Sequence, residues 1–225
     1  AVQLGTPVRG ISQGPGGVVV ATGGFPWNAR MCAEHYPAPT GPYSMSPQGN
    51  VGEGIAMARQ AGGVLGTGHT GPALWAPVSM RQRPDGSMLR YPHLVWDRAK
   101  PGLIAVDADG RRFVDESASY HHFVEALLAR VRPGASTPPA WLVCDAAFVR
   151  AYGLGTIPPG TRASALRRHE ASGYIVLAHD IDALATRLGI DARTLAATIA
   201  RHNRHAEAGE DPDFSKGSTE LGRFN

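Results

Sequence analysis

Glycine and proline place the strongest limit on how this chain can fold. It holds 28 glycines and 18 prolines in 225 residues, about a fifth of the total, and they sit mainly in residues 1–102. Proline withholds a backbone donor and glycine weakens helices and strands alike. The first half is therefore loop-rich, and long regular elements belong to the second. These residues follow no period, and the rest of the composition (43% hydrophobic, 18% charged) is that of an ordinary globular protein. The length allows one large domain or two small ones.

Along the chain, residues 1–17 are thin in apolar residues and read as a frayed end. Gly17-Val18-Val19-Val20-Ala21-Thr22-Gly23-Gly24 reads as a short buried strand ending in two glycines. Five prolines between Phe25 and Asn50 predict a long loop, and Asn50 to Gly62 a helix. Ala73 to Val95 reads as strands around a turn at Pro84-Asp85-Gly86. Leu103 to Val106, the turn Asp107-Ala108-Asp109-Gly110, and Arg111 to Val114 carry a hairpin signal. A helix capped by Ser117 or Ser119 should follow. Phe123, Val124, Leu127, Leu128 and Val131 recur at its spacing, and Pro133 ends it. Ala140 to Cys144 reads as a buried strand. Two closing helices, Ile181 to Leu188 and Ala192 to Ala208, have Asp180 and Asp191 as caps and Gly189 and Gly209 as stops.

Several function classes fall away. Lys and Arg exceed Asp and Glu by only 22 to 19, giving a net charge of +3 with no basic stripe, so nucleic acid is not the expected partner. No apolar run approaches the ~18 residues of a membrane span. No signal peptide opens the chain, so a cytoplasmic protein is expected. Cys32 and Cys144 match no metal spacing and are expected to be free, buried thiols. His121 and His122 are adjacent and point apart. His202 and His205 share a helix face but lack a third ligand, so no metal site is expected and they read as surface histidines.

Two glycines directly after an apolar run let a backbone approach a ligand closely, although by themselves they are better explained by a tight turn. Taken with Asn50-Val51-Gly52-Glu53-Gly54-Ile55-Ala56-Met57-Ala58, the stretch Gly17 to Asn28 resembles the end of the FAD domain in fumarate reductase and succinate dehydrogenase flavoproteins. That resemblance implies FAD as cofactor, with Ala21, Thr22, Gly23 and Gly24 passing its adenosine side. Gly52, Glu53 and Gly54 stand where the family commonly has Gly-Asp-Gly. Asp97-Arg98-Ala99-Lys100-Pro101-Gly102, through Gly110 to Asp115-Glu116, resembles the hairpin of the family's capping domain. Arg111 and Arg112 are expected on a solvated face. Arg98 matches an arginine that serves proton delivery in fumarate reductases; an ion pair with Asp97 or Glu116 is its bland alternative.

Tyr120 divides the family. Soluble fumarate reductases carry an arginine at this point, whereas 3-ketosteroid dehydrogenases carry a tyrosine that acts as general base. A free phenol titrates near ~10, so it needs help to act as one. A first-turn position on a helix favours the anion by only ~0.3–1 kcal/mol. The Gly-x-Gly-x-x-Gly turn after a first strand, which seats the FAD pyrophosphate in that family, is not expected anywhere in this chain. The chain also lacks the family's closing glycine-rich segment. The expectation is a piece of a longer protein that by itself neither holds FAD tightly nor turns over.

The expected fold is α+β, the capping (substrate) domain of a fumarate reductase-like flavoprotein over residues 71–225. Residues 1–70 are expected to be a remnant of the α/β FAD-binding domain. The expected activity is dehydrogenation of a steroid or other ketone next to its carbonyl, with Tyr120 and Arg98 as catalytic residues. The alternatives are reduction of an unsaturated acid, or a non-catalytic binding module with the same fold. The oligomeric state is not legible.

Overall fold

The computed structural model describes residues 6–12, 15–40, 43–66, 68, 71–131 and 140–224. The chain divides into two compact units, Ala1–Leu74 and Trp75–Asn225. The helix end expected at Pro133 lies outside the described residues.

Among its described residues the first unit contains two helices, α1 (Ala29–His35) and α2 (Glu53–Gln60). The expected loop from Phe25 to Asn50 is thus interrupted. Asn28 explains the interruption, because its side chain accepts from Met31 N at the helix start while its amide donates to Val51 O at 3.0 Å. Phe25 is buried, with the rings of His35 and Tyr36 centred 5.5 and 5.1 Å away. The buried strand expected over Val18–Val20 does not form. Those side chains are 53%, 93% and 40% exposed, and among the described residues no strand lies beside them. Without a partner ladder an extended segment leaves its backbone groups to solvent.

The second unit opens with a hairpin, β1 (Val78–Gln82) and β2 (Met88–Pro92), paired from Val78↔Pro92 to Gln82↔Met88. The turn falls where Pro84-Asp85-Gly86 placed it. Asp85 Oδ1 accepts from Ser87 N at 2.9 Å and from Ser87 Oγ at 2.7 Å. Next comes β3 (Leu103–Asp107), buried along its whole length, followed by α3 (Tyr120–Leu128) and β4 (Ala140–Cys144). α3 starts from Ser119, whose hydroxyl accepts from His122 N. The chain continues through α4 (Ala146–Tyr152), α5 (Ala163–Ala171), α6 (Ile181–Leu188), α7 (Ala192–Ala208) and α8 (Glu220–Phe224). The caps Asp180 and Asp191 and the left-handed Gly189 and Gly209 bound α6 and α7 as the sequence indicates. No spacing signal in the sequence singles out α4 and α5. They are short, and α4 depends on the Asp145 carboxylate accepting from Phe148 N at 2.7 Å.

The second hairpin corrects the sequence reading. The turn after β3 forms, with Asp107 Oδ1 accepting from Asp109 N and Arg111 N, each at 3.0 Å. Beyond one bridge, Val106↔Arg112, residues 111–114 do not pair with β3. Its partner is β4, antiparallel from Leu103↔Cys144 to Asp107↔Ala140. Pleating sends alternate residues of this pair to opposite faces. Ala105, with Ala140 and Leu142, faces Phe113, Val114, Phe123, Val124 and Leu127 on the α3 side. Ile104 and Val106, with Trp141 and Val143, face Ala185, Ile190 and Leu195 on the α6–α7 side. A two-stranded layer between helices explains why β3 has no polar face. Full burial of Leu103, Ile104 and Val106 contributes roughly 1.5–3 kcal/mol each. The turn is equally tight, since a Cβ on Gly110 (φ +76°) would sit 2.6 Å from Ile190 Cγ2. Among the described residues, no helix is long and apolar enough to cross a membrane.

Candidate functional site

In the first unit the two glycine stretches singled out by sequence come together. A Cβ added to Gly54 would meet Thr22 Oγ1 at 2.0 Å and Val20 Cγ1 at 2.7 Å; one on Gly23 would meet Asn50 Oδ1 at 2.8 Å. Gly52 and Gly54 are buried beneath this contact, while Ala21, Thr22, Gly23, Gly24 and Glu53 are exposed. Gly52 adopts φ +86° and starts α2, with Glu53 in its first turn. The result is an exposed backbone turn beside a carboxylate and a helix N-terminus. This chemistry fits the hydroxyl-bearing part of a dinucleotide: the backbone offers hydrogen-bonding groups without bulk, and Glu53 accepts from hydroxyls. A concavity of about 430 Å³ lies against α1 and α2, with Arg30, Glu34, Glu53 and Arg59 among its lining residues.

In the second unit Tyr120 is the first residue of α3 and stays 37% exposed. The turn before it is tightly bonded. Asp115 Oδ1 accepts from Ser117 N and Ser117 Oγ, both at 2.7 Å. Arg98 is fully buried and donates from Nε to His93 O at 2.9 Å, from one terminal nitrogen to Glu116 O, and from the other to Ala118 O at 2.7 Å. Its guanidinium lies 4.9 Å over the Phe123 ring. Burial lowers the Arg98 pKa to about 10, against the opposing pull of Asp97, Asp115 and Glu116. The ion pair offered as its bland role is not what it makes. Carbonyls take its donors, and both carboxylates have other partners.

Glu116 belongs to Arg112. The two pair twice, at 2.9 and 2.8 Å, and Arg112 also bonds both oxygens of Asp211 at 3.0 Å. Lys216 Nζ lies 3.3 Å from Glu116 and donates to Leu103 O at 3.2 Å. Burial alone would raise the Glu116 and Asp211 pKa values. The bonds and charge of Arg112, aided at Glu116 by Lys216, outweigh it and hold both below the usual carboxylate range. Arg112 is therefore buried, at 7% exposure, and not on the solvated face expected of it. Arg111 does lie on the surface.

Asp97 Oδ2 meets His93 Nδ1 at 2.6 Å, and His93 Nε2 meets Ser79 Oγ at 2.7 Å. Ser79 Oγ in turn meets the Tyr174 hydroxyl at 2.8 Å. Sequence reasoning missed this chain because His93, Ser79 and Tyr174 carry no spacing signal. It has the order of a nucleophilic triad, but the adjacent amides of Gly155 and Thr156 already donate to Asp97 and Tyr174. They are not free to hold an oxyanion. His121 accepts from Trp75 N at 3.1 Å, and its other nitrogen lies 3.4 Å from Glu125. His202 and His205 are half-buried, not at the surface. His205 joins Asp211 and Asp213 in a cluster of metal-ligand type, but Arg112 and Arg201 already engage those carboxylates. Contrary to the expectation that the spacing is absent, Gly66-x-Gly68-x-x-Gly71 does occur in the sequence, but among the described residues it follows helix α2 and not a strand, so it lacks the context of a pyrophosphate turn.

Comparison with known proteins supplies the family. The FAD binding domain pattern matches residues 8–222. The chain is 35% identical over 212 residues to 4-oxocyclohex-2-ene-1-carboxylate 5-dehydrogenase of Sinomonas cyclohexanicum, covering 92% of this chain and 35% of that protein. It is 31% identical over 214 residues to 3-oxosteroid 1-dehydrogenase of Mycobacterium tuberculosis, with 92% and 36% covered. Among solved structures it is similar to 3-ketosteroid Δ1-dehydrogenase of Sterolibacterium denitrificans in complex with 1,4-androstadiene-3,17-dione. That match has a TM-score of 0.71 and 29% identity, and covers 91% of this chain and 36% of the other. The chain spans about a third of the length of the relatives it matches. Its α+β elements, the glycine turn at the N-terminus of α2 and a match over nearly the whole sequence agree: this chain belongs to the FAD binding domain family of flavoprotein oxidoreductases.

Proposed function

We propose that this chain supplies the substrate-handling part of a cytoplasmic FAD-dependent dehydrogenase that acts on a cyclic ketone. In this reading residues 71–225 are the capping, substrate-binding domain, and residues 1–70 belong to the FAD-binding domain. Ala21, Thr22, Gly23, Gly24, Gly52, Glu53 and Gly54 would lie along the adenosine side of the cofactor. When bound, FAD would accept a hydride from the carbon β to the ketone. Tyr120 takes the proton from the α carbon, and the electron pair left there forms the new carbon–carbon double bond. The observation that carries the reading is Tyr120 itself, half-exposed at the first position of α3, on a turn whose carbonyls are tied down. The similarity to dehydrogenases of oxocyclohexene carboxylates and of 3-oxosteroids supports a ring ketone as substrate.

Anaerobic stopped-flow reduction of the flavin by a ring ketone, in a FAD-loaded protein that contains this chain, tests the role of Tyr120. Tyr120→Phe removes one hydroxyl and little packing, so FAD should stay bound while the rate falls by a factor of ~10²–10⁴. Flavin reduction at the wild-type rate would make Tyr120 a structural residue and remove the proposed base.

A further inference from the structure

We propose that Arg98 is a positioning residue for Tyr120, and that the buried His93–Asp97 pair holds Arg98 in the place where it can do so. The inference rests on reading Tyr120 as the base, but its structural half stands on geometry alone. Among the described residues, the hydrogen bonds and the ring contact of the guanidinium fall either on the segment around Tyr120 or on Arg98's own support. Two donors go to the carbonyls of Glu116 and Ala118, four and two residues before Tyr120. The charged face lies on the ring of Phe123, three residues after it. The remaining Nε donates to His93 O. A planar fork of donors fixes direction as well as distance, so one side chain sets both the approach to α3 and its first turn.

Arg98 is in turn held from behind. Its backbone N donates to Asp97 Oδ1 at 2.8 Å. The other oxygen of Asp97 is held by His93 at 2.6 Å and by Gly155 N at 3.0 Å. His93 reaches Ser79 on β1, and Ser79 reaches Tyr174, which also accepts from Thr156 N at 2.9 Å. His93 and Asp97 are 7% and 4% exposed. The first hairpin and the loop at Gly155 are thus tied through one buried chain to the turn that presents Tyr120. A cation buried on neutral carbonyls is costly to keep and burial lowers its pKa. An aliphatic side chain would fill the space but could not aim two carbonyls.

The test uses a FAD-loaded protein containing this chain, with Arg98→Lys and His93→Gln as variants. Three quantities are measured: ketone-dependent flavin reduction across pH, ketone affinity, and amide hydrogen exchange over residues 119–123. For Arg98→Lys we expect flavin reduction to slow by about 10²-fold, as a misplaced catalytic group does. Ketone affinity should change by less than about threefold, with the pH–rate profile keeping its shape. Exchange over 119–123 should rise. His93→Gln should move the same readouts in the same direction by less, and it decides the matter if Arg98→Lys does not fold. Faster exchange with a rate within about twofold of wild type would overturn the proposal in favour of a purely structural arginine. A profile that loses a limb with unchanged exchange would overturn it in favour of a proton carrier. If Tyr120→Phe reduces its flavin normally, the functional reading fails by itself, while the exchange data still judge the clamp.

Discussion

Arg98 and Arg112 are both buried arginines of the second unit, and their partners are of opposite kinds. Arg112 is surrounded by carboxylates, twice bonded to Glu116 and to both oxygens of Asp211. Burial would lower its pKa, but those bonds raise it. Arg98 is surrounded by carbonyls, and burial brings its pKa down to about 10. The first arrangement neutralises charge and ties Glu116 and residue 211, far apart in sequence, into one knot beside the buried strand β3. The second, among the described residues, gives its cation no carboxylate in direct contact and uses its donors to aim a turn. The Arg112 knot should therefore govern stability, and the Arg98 junction should govern what Tyr120 does.

The largest effect is expected where that contrast is broken at its most buried point. Arg112→Met would strand Glu116, which is fully buried, and Asp211 without their shared cation. Breaking a buried pair from one side costs about 3–5 kcal/mol, and denaturant unfolding should report a loss of that size. FAD-loaded molecules that remain folded should keep most of their ketone-dependent rate. If stability is unchanged and the rate collapses, the two arginines have been assigned the wrong way round.

Acid should act on the same knot. Glu116 and Asp211 have lowered pKa values in the folded chain, through Arg112 and, for Glu116, Lys216, against the opposing effect of burial. A lowered folded pKa gives stability that is fully present above the unfolded carboxylate values of ~3.9–4.3 and is lost as pH falls through the folded ones. Thermal midpoints should thus stay flat from neutral pH to about pH 5 and fall below it. In Glu116→Gln the acid-dependent part of that fall should be smaller. A wild-type midpoint that rises on acidification would contradict the ion network.

The smallest effect concerns the thiols. Both cysteines are free and half-buried, less enclosed than the sequence suggested. Burial, with help from Asp145 and Asp97, pushes Cys144 up to about 12, and burial also raises Cys32. Since the thiolate is the reactive form, Cys144 should label slowly with a thiol reagent in the native protein. Both thiols should react once it is unfolded. Rapid native labelling of Cys144 would show that the β3–β4 layer opens easily.

What was legible in the sequence follows the range of the interaction. α2, α6 and α7 could be read because caps, stops and apolar spacing are local, as were the turn at Pro84-Asp85-Gly86 and the cap at Ser119. The β3–β4 pairing was misassigned because a tight turn after β3 suggests its immediate neighbour. Burial on both faces instead selects Ala140–Cys144, more than thirty residues on. Arg112 looked solvated because two adjacent arginines beside a turn suggest a surface, and its partner Asp211 is 99 residues away. Of the site, the contact between residues 22–23 and 50–54 joins stretches that sequence had already paired. The chain from Asp97 through His93 and Ser79 to Tyr174 was invisible, since its members are scattered across the unit.

The proposed function is that a protein built with this chain removes hydrogen from a ring ketone and does not reduce an unsaturated acid. Its most direct test is an anaerobic spectrum of the FAD-loaded protein with each substrate class. A saturated ring ketone, steroid or oxocyclohexane carboxylate, should bleach the oxidised flavin, and fumarate should leave chemically reduced flavin unchanged. Rapid reoxidation of the reduced flavin by fumarate, with no bleaching by any ring ketone, would contradict the account and return Tyr120 to a structural role.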